Sequence, residues 1–137
     1  MAYWLAIGTG RNLGLSLKTK IWGMSEHYNS SWEKVQKDDV VVFYAMKPIK
    51  GIVGYGKVLS KIKECRLLWD QEIREGTALW PLRMRIEYVY VLPERKWNAS
   101  RLPLPPLSEG IVMQSSFQRL RDNLAKDIIA NLTKPKH

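Results

Sequence analysis

Two of the six tryptophans in this 137-residue chain lie in sequence contexts typical of a ligand-binding surface. Trp22 lies in the segment 20–24 and Trp69 in the segment 66–71, and in both segments polar or basic residues flank the indole. A nucleobase stacks on an aromatic ring for about 1–3 kcal/mol, and Lys or Arg neutralises the phosphates. The pattern predicts that both indoles lie outside the hydrophobic core and can take a base. The alternative is that each packs in the interior, which is more common for tryptophan in a small domain.

The net charge indicates the class of partner. The chain carries 22 Lys plus Arg against 13 Asp plus Glu, a formal net charge of +9. These residues are spread along the chain rather than collected in a tail, which favours a folded basic face and makes nucleic acid the expected partner. A membrane surface is not expected, because no segment pairs a broad apolar face with a lysine-rich one. A basic surface without any partner stays open as an alternative.

Residues suited to enzymatic chemistry are missing. The two histidines, His27 and His137, cannot assemble a histidine metal site or a catalytic triad. The single Cys65 excludes an internal disulfide, fits a reducing compartment and has no evident partner base. Asp38 and Asp39 fall in a turn that should place both carboxylates in solvent. We therefore expect no enzyme activity, no metal and no cofactor.

The elements that would position these residues are mostly strands. Strands are expected at 3–7, 40–45, 52–59 and 82–92, with short helices over 12–20 and from Ser30 or Ser31, and a loop over 60–80 that contains Trp69. Asn12 is expected to cap the first helix. In 82–87 apolar residues alternate with charged ones, which predicts a half-buried strand with its charges in solvent.

The C-terminal part is predicted to form a helix. Ser115 and Gln118 have the spacing of a capping box. A stripe of apolar residues at helical period follows and is expected to be core: Phe117, Leu120, Leu124, Ile128 and Leu132. The prolines at 103, 105 and 106 predict an extended segment before it.

The fold class expected from these elements is α+β, with a curved, mostly antiparallel sheet or small barrel and helices at its edges. The length suits one domain, over 1–132, with 133–137 as a tail or the start of a linker. No run is long enough to span a bilayer, and the first residues lack the features of a signal peptide. We therefore expect a cytoplasmic protein.

The order of landmarks is more specific than any single motif. An aromatic opening strand at 3–5 is followed by Trp22, the strand 40–44, the glycine-containing strand 51–54, Trp69 and the alternating strand 82–86. From Tyr3 to about Leu92 this order resembles the EVE family of the PUA-like fold, a group that includes the YTH readers of methylated adenine. The resemblance implies a small curved β-barrel with flanking helices and an aromatic cage for a flipped, often modified base. Similar domains also occur as N-terminal modules of McrB-type restriction GTPases.

The resemblance also implies which residues contact a ligand. By position, Trp22 and Trp69 match the cage tryptophans and Asn12 a contact to the base edge. The residues expected to line the rim are Thr9, Gly23 and Met24. Phosphate contacts are expected from the basic residues around the mouth, namely Arg11, Lys18, Lys20, Lys50, Lys63 and Arg66.

Three functional hypotheses follow. The favoured one is a module that binds a modified, methylated base, in DNA rather than RNA, and that can target a modification-dependent restriction system. The second is an RNA-binding PUA-like domain that reads shape and backbone without a base pocket. The third is a PUA-like hydrolase acting on RNA, for which no catalytic residues can be identified.

Overall fold

The computed structural model of the chain describes residues 1–100 and 115–133. The strands in these ranges are β1 (Tyr3–Gly8), β2 (Ile21–Met24), β3 (Val40–Ala45), β4 (Gly51–Lys63), β5 (Leu82–Val91) and β6 (Phe117–Leu120). The helices are α1 (Gly10–Thr19), α2 (Asn29–Lys34), α3 (Asp70–Glu75), α4 (Trp97–Ser100) and α5 (Asp122–Leu132). The proline segment 103–106 and residues 134–137, for which predictions were made above, lie outside the described residues.

The strands form one curved, mixed sheet in the order β2-β5-β4-β3-β1-β6, a half-barrel with helices packed against it. β1 and β3 pair in parallel, and the other neighbours are antiparallel. Every residue of β1 and β3 is buried, as expected for strands covered on both faces. The predicted α+β class is confirmed.

Two glycines of β4 allow the neighbouring strand β5 to approach closely where the sheet curves. The pairing of these strands shifts register between Tyr55 and Gly56. A Cβ atom would lie 2.6 Å from the Tyr90 carbonyl oxygen at Gly54, and 2.6 Å from the Glu87 carbonyl oxygen at Gly56. A side chain at either position would force the strands apart, so close backbone approach explains these glycines.

The C-terminal region differs from its predicted structure. Phe117 and Leu120 belong to β6, which pairs antiparallel with β1, and the helix begins only at Asp122. Ser115 therefore caps no helix; its hydroxyl donates to the Phe117 carbonyl at 3.1 Å. All five residues of the stripe are buried, because a four-residue strand and a following helix can both face the same core. The core assignment is confirmed, and the single-helix prediction is wrong.

Asp39 is buried, contrary to the prediction of a solvent-exposed turn. It is 3% exposed and its carboxylate accepts hydrogen bonds from the Ala2 amide at 2.9 Å, the Trp4 indole at 3.0 Å and the Gln36 amide at 2.9 Å. Burial of a carboxylate is tolerated when donors satisfy it. Asp39 thus ties the N-terminus to the turn before β3, while Asp38 lies in solvent.

No helix among the described residues is long and apolar enough to cross a membrane.

Candidate functional site

A partly open cavity of about 200 Å³ lies between the start of α1, strand β2 and the segments that flank α3. Its lining comprises Ile7, Gly8, Thr9, Asn12, Trp22, Gly23, Met24, Ser25, Met46, Trp69, Trp80 and Ser116. Pockets for drug-sized molecules measure about 300–1,000 Å³. This cavity therefore suits one small group. All six residues that the sequence placed around a base lie on its wall.

Trp22 forms one wall from strand β2. It is 5% exposed, and its ring packs edge-on against Phe43, with centroids 5.6 Å apart and planes at 72°. The edge of its six-membered ring lies against Gly8, where a Cβ would clash. The prediction that Trp22 lies outside the core is wrong, because side chains alternate along β2 and its even positions face inward.

Trp69 forms a second wall and comes directly before α3. It is 2% exposed, so this indole is also buried, contrary to the prediction that it lies outside the hydrophobic core. Its ring meets Trp80 edge-to-face at 5.6 Å and touches Gly23. The expected loop over 60–80 is also wrong, since β4 continues to Lys63 and α3 occupies part of the segment. This folded segment carries Trp69 onto the cavity.

A buried ion pair lies beneath this segment. The Glu72 and Arg83 side chains are both 0% exposed, with Arg83 Nη2 3.1 Å from Glu72 Oε1. The Glu72 carboxylate also accepts from the amides of Leu68 at 2.9 Å, Trp69 at 3.2 Å and Trp80 at 3.1 Å. Burial raises the pKa of Glu72, but these three amides and Arg83 outweigh it, so the pKa lies below its ordinary value of 4.5.

The prediction that the charged residues of β5 face solvent is wrong for Arg83, which is buried. Its Nε donates to the Trp80 carbonyl at 3.1 Å and its Nη1 to Glu64 at 2.9 Å. Its guanidinium carbon lies 5.2 Å from the centroid of the Trp69 ring. Acceptors and an aromatic face therefore replace water around this arginine. Arg85 and Glu87 of the same strand are exposed, as predicted.

Polar groups at the cavity come from the start of α1. Thr9, not Asn12, caps this helix, because the Thr9 hydroxyl accepts from the Asn12 amide at 3.1 Å. Asn12 is thus inside the helix, and its half-buried side-chain amide makes no hydrogen bond to the described residues. The Trp69 Nε1 atom is buried and also lacks a hydrogen-bond partner among the residues that the structure describes.

The sequence matches the model of the EVE domain over residues 2–120. The chain belongs to the EVE domain family. A comparison with functionally curated proteins gives no match.

Solved structures show the same PUA-like fold at low sequence identity. The Mmi1 YTH domain has a TM-score of 0.63 and 13% identity, over 96% of this chain and 95% of that one. The YTH domain of Zygosaccharomyces rouxii MRB1, solved in complex with N6-methyladenosine RNA, has a TM-score of 0.62 and 12% identity over 98% and 88%. Rpa0253 from Rhodopseudomonas palustris has a TM-score of 0.62 and 13% identity over 100% and 97%.

The basic residues expected to bind phosphate lie at different distances from the cavity of this EVE domain. Arg11 and Lys18 line a neighbouring groove of about 310 Å³ that shares Asn12 with the cavity. Arg11 also forms an exposed ion pair with Asp70 at 3.6 Å. Lys50 ends the turn that contains Met46, a cavity residue.

The other three basic residues are exposed. Lys63 pairs with Glu26 at 3.3 Å, and Arg66 with Glu64 at 3.4 Å. Lys20 follows the far end of α1, about 12 Å along the helix axis from Asn12 at 1.5 Å per residue. Lys20 also comes two residues before Trp22 of the cavity wall, but it does not itself line the cavity.

The main residue that sequence reasoning missed is Trp80, a third indole on the cavity wall. Its signal was present, because it closes the same loop segment that carries Trp69. The remaining missed lining residues are Ile7, Gly8, Ser25, Met46 and Ser116. The described residues contain no group of three or more His, Cys, Asp or Glu that could hold a metal ion. Cys65 is exposed and carries no disulfide.

Proposed function

We propose that this EVE domain is a nucleic-acid-binding module that takes a single modified base into the cavity. The observation that carries the proposal is one cavity of about 200 Å³ with three indoles on its wall. Flat aromatic walls suit a flat ring, and the side-chain amide of Asn12 suits the polar edge of a base. The YTH domain of Zygosaccharomyces rouxii MRB1, which has the same fold, was solved with N6-methyladenosine RNA.

The energetics favour a base that is extruded and methylated. Flipping a base costs a few kcal/mol, and two stacking faces at about 1–3 kcal/mol each offset that cost. A methyl group buried against an indole adds about 0.8 kcal/mol, or about fourfold in affinity. A larger preference must come from the shape of the wall, which leaves a polar group unpaired when the methyl is absent.

Phosphates on either side of the flipped base would meet the basic residues near the cavity. Arg11 and Lys18 are the nearest by position, since their groove adjoins the cavity at Asn12. The exposed Arg11–Asp70 ion pair is the weak kind that a phosphate can displace. Lys50, Lys63 and Arg66 extend the proposed path along the surface.

The finer hypothesis is that the target is DNA and that the domain serves a restriction GTPase. This requires a modified DNA duplex to bind more tightly than RNA of the same sequence. RNA is the second candidate, favoured by the complex of the Zygosaccharomyces rouxii protein. Matched DNA and RNA oligonucleotides decide between the two.

The test measures the affinity of wild-type protein for oligonucleotides that carry N6-methyladenine, 5-methylcytosine or no modification. At about 150 mM salt nonspecific phosphate contacts weaken, so preference for the base becomes visible. We expect at least a tenfold preference for one modification. Trp22→Phe and Trp69→Phe should each weaken binding of the preferred base, because phenylalanine offers a smaller stacking face.

Trp97→Phe is the matched control. Trp97 is 3% exposed, its indole donates to the Leu92 carbonyl at 2.7 Å, and it does not line the cavity. It should leave binding unchanged. Equal, salt-sensitive binding of all oligonucleotides by the wild type would instead favour a domain that reads the backbone, with Trp22 and Trp69 serving only as packing.

A further inference from the structure

We propose that the buried pair Glu72–Arg83 is a positioning device that holds Trp69 and Trp80 in place as preformed walls, and that selectivity for the modified base depends on it. The proposal rests on the proposed function. Neither Glu72 nor Arg83 lines the cavity, so both act through the two tryptophans.

The first argument is the pattern of backbone contacts. Glu72 Oε1 accepts from the Trp69 amide at 3.2 Å, and Oε2 accepts from the Trp80 amide at 3.1 Å. One carboxylate therefore fixes the backbone of both walls, although they lie at opposite ends of the α3 segment. A charged acceptor makes these hydrogen bonds stronger than neutral ones.

The second argument is that Arg83 engages the same two residues from below. Its Nε donates to the Trp80 carbonyl at 3.1 Å, and its guanidinium lies 5.2 Å from the Trp69 ring centroid. Arg83 is part of β5, the strand that also pairs with β2 and hence with Trp22. The pair thus links the α3 segment to the sheet that carries Trp22.

The third argument concerns the orientation of the Trp69 ring. Its Nε1 is buried without a hydrogen-bond partner among the described residues, so no hydrogen bond of its own fixes the indole. Contacts with Gly23, Trp80 and Arg83 fix it instead. The orientation of the Trp69 ring therefore depends on the ion pair. An indole that is fixed by its own hydrogen bond would depend on it less.

The key variant is Glu72→Gln, which keeps the shape but places an NH2 group against amide or guanidinium donors. Loss of one stacking face corresponds to about fivefold to 150-fold weaker binding, so we expect an effect in this range for the N6-methyladenine or 5-methylcytosine oligonucleotide that the wild type prefers. The ratio of affinities for modified and unmodified oligonucleotide should fall towards 1. If Glu72→Gln does not fold, Arg83→Lys replaces it, since lysine keeps the charge but loses the Nε bond to Trp80.

Asp39→Asn is the matched control for a general loss of stability. Asp39 is also a buried carboxylate with three hydrogen-bond donors, but it lies away from the cavity. It should destabilise the fold and keep the selectivity ratio. Equal loss of selectivity in both variants would overturn the positioning role.

A readout without ligand separates this proposal from the proposed function. In protein labelled with 5-fluorotryptophan, Glu72→Gln should shift or broaden the ¹⁹F resonances of Trp69 and Trp80 and leave that of Trp97 in place. Each resonance is assigned by a Trp→Phe variant. Wild-type protein that prefers no modification refutes the reader function while this spectrum still tests positioning. Unchanged resonances and selectivity in Glu72→Gln refute positioning alone.

Discussion

Gly23→Ala is the smallest change that should move a wall of the cavity. Gly23 lies on β2, and its backbone faces the edge of the Trp69 ring. A Cβ atom there would lie 2.7 Å from Trp69 Cη2 and 2.8 Å from the Trp80 carbonyl oxygen. Contacts under 3.0 Å are essentially never seen for a real Cβ, so at least one of these walls must retreat.

The size of the effect follows from these distances. The Trp69 ring must retreat by about 0.7 Å to reach ordinary contact at 3.4 Å. A gap of about 0.5–1 Å loses a quarter to a half of a dispersion contact, so a stack worth about 1–3 kcal/mol loses about 0.3–1.5 kcal/mol. Binding of the preferred base should weaken by a factor of about 2 to 12. Crowding in the fold should also cost about 1–3 kcal/mol of stability.

The assay is a pair of measurements on Gly23→Ala, namely oligonucleotide affinity at about 150 mM salt and the free energy of unfolding in urea. Gly14→Ala is the matched control, because it adds the same methyl group within α1. Its Cβ would meet only the end of the flexible, exposed Glu94 side chain, at 3.2 Å. Alanine is favoured over glycine inside a helix by about 0.5–1 kcal/mol, so this variant should gain stability. It controls for stability and not for binding, because Gly14 lines the basic groove beside the cavity.

Wild-type stability and affinity in Gly23→Ala would refute the reasoning, because the crowded contact would then not exist. Reduced stability with unchanged affinity would be equally informative. It would mean that the Trp69 ring moves without consequence for the ligand, and that Trp69 packs rather than stacks on a base.

Two further predictions concern stability. Asp39→Asn should lower the free energy of unfolding by about 1–3 kcal/mol in urea titrations, because an amide cannot satisfy all three donors around it; an unchanged value would contradict the role assigned to Asp39. Burial raises the pKa of Tyr88 above its ordinary 10.0, although the hydrogen bond with Ser16 opposes this shift. The folded state therefore binds the Tyr88 proton more tightly than the unfolded state does. The contribution of Tyr88 to the free energy of unfolding is present below pH 10 and is lost as the pH rises further. The difference between the urea midpoints of wild type and Tyr88→Phe should be independent of pH below pH 10, and above pH 10 the wild-type midpoint should fall relative to that of Tyr88→Phe.

The residues assigned to the base came from the resemblance to the EVE family, and only Trp22 and Trp69 were also singled out by their sequence context. All six line the cavity, although they come from β2, the start of α1 and the segment before α3. The strands 40–45 and 82–91 were also predictable, since unbroken apolar runs and strict alternation are strong signals. Local pattern was sufficient for these two strands.

Pattern failed where a distant partner decides the structure. Arg83 and Asp39 look solvent-exposed in sequence, and each is buried because of donors or acceptors from elsewhere in the chain. Phe117 and Leu120 fit a helical stripe, yet they form a strand because their segment pairs with β1. Tertiary contacts of this kind have no signature in a single sequence.

The burial of Trp22 and Trp69 is compatible with the role proposed for them in binding a base. An apolar cavity in a well-packed protein normally shrinks, because its walls lose contacts across the gap. Here the edge of the Trp22 ring packs against the backbone of Gly8, and the edge of the Trp69 ring packs against the backbone of Gly23. The Glu72–Arg83 ion pair fixes the α3 segment. The walls are therefore held apart before any ligand arrives. A preformed site of this kind binds without the cost of ordering its own side chains, which is what a reader of a single, costly flipped base requires.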